Sequence, residues 1–222
     1  MTQSLTDIPP ETPMTENAAN PLPVTKRARL NSAFWESQLN EAQQFVQRLH
    51  ALREARSGEL ALLRRNAGET VSTSRNVLSV FYKLQPPRGQ HSEKYFLVAT
   101  LFDLNRIHPI GGDFGETMQK VKANASDSFE RRFLVLLDAG FSSTSDAFNG
   151  YSTGGGELAY RLRQMTKLAA SKDAGINWPV LLADLCWWDN ANKPVQKKWA
   201  SNFYDFQPAA ENTIQTNPES GE

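Results

Sequence analysis

Three histidines, two aspartates, one cysteine and two glycine clusters are the residues whose types could support catalysis. Their spacing argues against it. His50, His91 and His108 stand far apart, with no HxxxH or HExxH pair to put two imidazoles on one metal. Asp103 and Asp113 would act as paired carboxylates only if folding happened to bring them together. GGDFG at 111–115 is not GxGxxG and follows no strand. STGGGEL at 152–158 lacks the Lys-Ser/Thr that completes a phosphate-binding loop, and a flexible linker explains it better. The lone Cys186, in LLADLCWW, has no cysteine partner and reads as a buried, inert thiol. We therefore expect a chain that is not an enzyme and takes no cofactor or metal. A small all-α nuclease would need an acidic metal cluster that the spacing does not offer.

The basic residues carry the strongest signal. Arg64-Arg65, Arg131-Arg132, Arg161 with Arg163, and Lys197-Lys198 recur beside apolar stripes, and Lys167 lies one helical turn beyond Arg163. Each doublet alone reads as a solvated helix face. Together they suggest a shared basic groove, with arginine favoured because its planar fork meets phosphate oxygens at two points. KRAR at 26–29 reads as the edge of the folded body or a loose phosphate contact. Five tryptophans, Trp35, Trp178, Trp187, Trp188 and Trp199, could stack on bases, but large aromatics on helical stripes read as core. Trp187 and Trp188 project about 100° apart on a helix, so one of them should reach a surface.

Helices must position these groups. Asn31 or Ser32 is the expected cap of a long helix from about 33 to 55, with Trp35, Leu39, Ala42, Val46, Leu49 and Leu52 as its stripe. Short helices are predicted in GELALLRRNAG, stopped at Gly68, and over 75–84, ended by Pro86-Pro87. SEKYFLVATLFDLN (92–105) is apolar on nearly all sides and should be a central buried helix. A turn at 108–118 leads to a helix near 116–123. Asp127 or Ser128 caps the next, over 129–139. Residues 156–170 and 178–188 follow, the latter capped by Asn177 with Pro179 in its first turn, and a last helix starts near Pro194. With no alternating pattern or hairpin signal, about nine helices make an all-α fold.

The formal net charge of zero conceals an uneven distribution. Seven of the 24 acids lie in residues 1–25 and 205–222, which hold no Lys or Arg, so residues 26–204 carry +7. Such a body seeks an anionic partner, and nucleic acid is the commonest. The expected organisation is a disordered tail over 1–30, a helical body over 31–206 with lobes of roughly 31–110 and 111–206 and a Gly/Ser-rich loop at 140–156, and a disordered tail over 207–222. No signal-peptide pattern and no apolar run of about 18 residues is present, so the expectation is a soluble, cytoplasmic protein with no membrane association.

GELALLRRNAG (58–68), VFYKLQP (80–86), FLVATLFDL (96–104), the GxxFG-like turn at 111–115, ERRFLVLL (130–137), YRLRQMTKL (160–168) and INWPVLLADLCWWDN (176–190) followed by VQKKWASNFY span most of 34–204. In this number, order and spacing they resemble the small subunit of the type I-E CRISPR Cascade complex, the CasB family. The 140–156 loop is longer than usual for that family, and the N-terminal tail is extra. The resemblance implies two small helical lobes, no catalytic activity, and two copies lining the inner face of an RNA-guided surveillance complex. It implies as partners the other Cascade subunits, crRNA and target DNA, whose displaced strand the family helps to hold when the R-loop opens; no small-molecule substrate is implied. By motif position it points to Arg64, Arg65, Lys83, Arg131, Arg132 and Arg163 as nucleic-acid-binding residues. Arg161, Lys167, Lys197 and Lys198 join them from charge and helical position alone. The alternative is a protein–protein adaptor that holds such a complex together without touching nucleic acid.

Overall fold

The computed structural model describes residues 24–55, 58–89, 91–109, 111–123, 128–141 and 156–204, with side chains from residue 33 onward. Residues 1–23 and 207–222 of the expected tails, Asp127 as a cap, and all but the ends of the 140–156 loop lie outside these residues, whereas residues 24–30, expected in the disordered tail, are helical. The chain divides into two compact units, Met1–Phe34 and Trp35–Glu222. All side-chain detail below concerns the second.

The described residues are all-α. The helices are α1 (Val24–Glu54), α2 (Gly58–Arg65), α3 (Leu78–Lys83), α4 (Ser92–Leu101), α5 (Phe114–Lys122), α6 (Ser128–Asp138), α7 (Gly156–Ser171), α8 (Trp178–Cys186) and α9 (Pro194–Tyr204). Single 3-10 turns precede α3 at Arg75–Val77 and follow α4 at Phe102–Leu104. The expected cap of α1 at Asn31 or Ser32 is not its start, because the helix continues back to Val24. Arg and Ala in TKRARLNSA favour helix enough to carry it past two residues that usually begin one. The other boundaries fall within a few residues of expectation. The Asn177 carboxamide accepts from the Val180 N–H at 3.4 Å, and Pro179 sits in the first turn.

α4 is the central element. Every residue from Lys94 to Leu101 is buried, as its uniformly apolar surface requires. It packs against α2, α7 and α8. Phe45, Phe81, Tyr95 and Phe96 form an edge-to-face cluster around it, with centroids 5.0 to 6.3 Å apart. One apolar cluster runs from Ala42 on α1 to Phe203 on α9 and passes through both expected lobes. Lys94, its charged exception, pairs with Asp189 and lies over the Phe141 ring.

α5 and α9 make the closest helix pair, and GGDFG explains how. Gly111 and Gly112 take φ of 94° and 75°, which a side chain would strain. Asp113 then caps α5, its carboxylate accepting from the Glu116 N–H at 3.2 Å. A Cβ on Gly115 would stand 2.3 Å from the Trp199 carbonyl oxygen, so only glycine lets α9 lie this close. The glycines serve helix entry and packing.

Candidate nucleic-acid interface

The ten basic residues fall on two groups of packed helices. Arg64, Arg65 and Lys83 lie on the α2–α3 pair, and the other seven on α6, α7 and α9, which pack with α5. Each doublet lies beside a stripe the core has claimed. On α6, Phe129, Phe133, Leu136 and Leu137 are buried while Arg131 and Arg132 are exposed. On α9, Val195, Trp199 and Phe203 are buried and Lys197 is exposed.

Their electrostatic settings differ. Arg65, Arg131, Arg132, Lys167 and Lys197 are exposed and make no ion pair among the described residues. Lys83 pairs with Glu59 at 2.7 Å, and Arg161 with Glu157 at 3.2 Å one turn back on α7. Arg163 is half-buried, with an Nε that finds no acceptor.

Arg64 and Lys198 are tied to buried carboxylates. The Arg64 Nη1 donates to Asp103 Oδ2 at 3.1 Å. Lys198 Nζ donates to both oxygens of Asp184, at 2.7 and 2.9 Å, and lies 3.6 Å from Asp113. Burial pushes the Asp184 carboxyl above its ordinary range, against the pull of Lys198 and of the Trp199 indole N–H, which donates to it at 2.7 Å. Lys198 therefore spends its charge holding α9 to α8 and to the start of α5.

Sequence reading missed three cations. Arg53 and Arg106 converge on Asp103 with Arg64, the Arg106 fork gripping both carboxylate oxygens at 2.8 Å. The spacing of Asp103 and Arg106 was a visible signal; Arg53 reaches them only through the packing of α1. Lys122, at the end of α5, pairs with Glu130 at 3.2 Å and lies over the Phe203 and Tyr204 rings. The Tyr204 hydroxyl donates to the same Glu130 at 2.8 Å, beside Arg131 in sequence, and together with Lys122 holds that carboxyl below its usual range.

The tryptophans are structural. Trp178, Trp188 and Trp199 are buried, while Trp187 and Trp35 are half-buried. The Trp188 indole donates to the Ala139 carbonyl at 2.9 Å. Of the adjacent pair, Trp187 is the one nearer solvent, and both lie in the turn that follows α8 rather than on the helix. Cys186 is buried, its thiol pushed up to about 12 by desolvation, which leaves almost no thiolate at neutral pH. Asp103 and Asp113 serve separate networks, and no group of three metal-ligating side chains occurs among the described residues. No described helix is long and apolar enough to cross a membrane.

The family model for CRISPR-associated protein Cse2 matches residues 59–204. A protein of Thermus thermophilus described as CRISPR-associated protein Cse2 is 32% identical over 118 residues, 53% of this chain; the match spans 59% of that relative's length. The crystal structure of a CRISPR-associated protein of the Cse2 family, also from Thermus thermophilus, superposes with a TM-score of 0.59 at 25% identity, covering 73% of this chain and 97% of that one. A chain of a CRISPR RNA-guided surveillance complex, 18% identical, shares the fold at a TM-score of 0.54, covering 75% of this chain and 92% of its own.

Proposed function

Since this chain belongs to the CRISPR-associated Cse2 family, we propose that it is a non-catalytic subunit of a type I-E Cascade complex that binds nucleic-acid backbone. Its partners are the other subunits of that complex, the guide RNA and the target DNA, with two copies per complex as the CasB resemblance implies. The observation that carries the binding role is the Arg131-Arg132 pair: two adjacent guanidiniums, both exposed and both without an acid among the described residues. Arg65, Lys167 and Lys197 share that state and complete the strongest set. Lys83, Arg161 and Arg163 are secondary, because each is partly engaged. Arg64 and Lys198 contribute through the carboxylates they hold.

The mechanism is electrostatic stabilisation of an opened duplex. Exchanging a DNA duplex for an RNA–DNA heteroduplex is nearly balanced in free energy, so a few phosphate contacts to the displaced strand shift it toward the open state. Exposed cations on helices read backbone, which leaves sequence recognition to base pairing.

Binding of the full chain to single-stranded DNA should weaken with salt at a slope of about −3 to −4, from about −0.7 per contact for five exposed cations. Replacing Arg131 and Arg132 together by Ala should reduce the slope by about 1.4 units with helicity unchanged. Affinity indifferent to both salt and substitution would overturn the reading. Assembly with the other subunits without nucleic-acid affinity, alone or in complex, would favour the adaptor instead.

A further inference from the structure

A cleft of about 480 Å³ opens between α1, the 106–109 turn and the start of α8, and none of the ten basic residues lines it. Its cationic side contains Arg53 and Arg106. Both are braced on Asp103, which Arg64 also reaches, so three guanidiniums share one carboxylate and two positive charges remain in excess. Arg53 is fixed further by its bond to the Phe102 carbonyl, at 3.0 Å, and by the Phe102 ring beneath it, at 4.0 Å. The Arg106 grip uses Nε and Nη2 and leaves Nη1 able to donate, on a side chain that is 61% exposed. His108, two residues on, is exposed and has one ring nitrogen engaged by the Pro109 carbonyl.

The remaining lining is of a different kind. Ile107 and Pro179 give a rigid apolar wall, and Gln47 on α1 is an exposed amide with both donor and acceptor capacity. A bare inorganic anion would use only the cations. An unstacked nucleotide uses all three: phosphate on arginine, base face on an apolar surface, base edge on an amide. The volume suits one such unit.

We propose that this cleft seats one splayed nucleotide of a single strand, its phosphate on Arg106 and His108 and its base between Pro179, Ile107 and Gln47. This rests on the nucleic-acid-binding reading above and adds a site that senses the presence of a base, which the exposed doublets do not.

The test compares the full chain's affinity for an oligothymidylate with that for an abasic strand of equal length and charge. The intact protein should prefer the base-bearing strand about five- to tenfold, as expected for one seated base. The Gln47→Ala, His108→Ala double variant removes one base contact and one phosphate contact at exposed side chains and should lower that ratio at least about twofold, since the Ile107 and Pro179 wall remains. Arg131→Ala with Arg132→Ala should weaken both strands alike and preserve the ratio. Equal affinity of the intact protein for the two strands, or a ratio untouched by the Gln47/His108 variant, overturns the cleft proposal alone. Absence of binding to either strand overturns the proposed function and the cleft with it.

Discussion

Two buried carboxylate centres organise charge in this molecule with opposite arithmetic. At one, Asp103 is shared by Arg53, Arg64 and Arg106, drawn from α1, α2 and the turn after α4. At the other, Lys198 is shared by Asp184 and Asp113, from α8 and the α5 cap, with the Trp199 indole and the Asn202 amide completing the bonds. The first centre has cations to spare and presents them at the rim of a cleft. The second has a surplus of acid and draws a lysine inward. Residues that look alike in a charge count thus do different work. Arg64 belongs to a set that can face an anion, whereas Lys198 is a pin between helices.

That contrast can be broken most directly at its scarce members. Lys198→Met should cost about 2–3 kcal/mol in denaturant unfolding, because it strands two buried carboxylates; the lysine's partial exposure keeps the figure at the low end for buried pairs. Asp103→Asn should cost about 2 kcal/mol, since its arginines are partly exposed and regain water. Arg106→Gln should cost less than about 1 kcal/mol, because Arg53 and Arg64 still satisfy Asp103. Equal losses for Lys198→Met and Arg106→Gln would dissolve the comparison.

A pH titration sharpens it. Burial raises the Asp184 pKa in the folded state, so the folded chain holds that proton more tightly than the unfolded chain does. The resulting support is complete below about pH 4 and fades as pH rises through the raised value. The stability of the native chain relative to Asp184→Asn should therefore decline as pH rises from about pH 4 through that raised value; a constant difference would refute the assignment. The smallest effect belongs to the solvated face, where Lys83→Ala should change stability by no more than about 0.5 kcal/mol while the exposed Glu59 pair is lost.

Much of the fold was legible. The 3.6-residue stripes on α6, α7 and α9 placed Phe133, Leu162 and Trp199 in the core, and the unbroken apolar run of α4 marked it as central. Asn177 and Pro179 act locally, so their neighbours in sequence suffice to interpret them. Less of the site was legible. The start of α1 escaped because capping residues within a long helical run lose to propagation. Arg53 escaped because it joins Asp103 from a distant helix, and Lys198 was grouped with Lys197 because adjacent helical positions look equivalent until a neighbouring helix supplies a carboxylate.

The sequence by itself determined the helical class, the core stripes and the positive body, because periodicity, capping and charge count are local or additive properties. Tertiary structure alone decided which cations face water and which are consumed inside. That choice depends on where α1, α5 and α8 deliver Arg53, Asp113 and Asp184, and electrostatic energy depends on distance and burial that no linear spacing encodes.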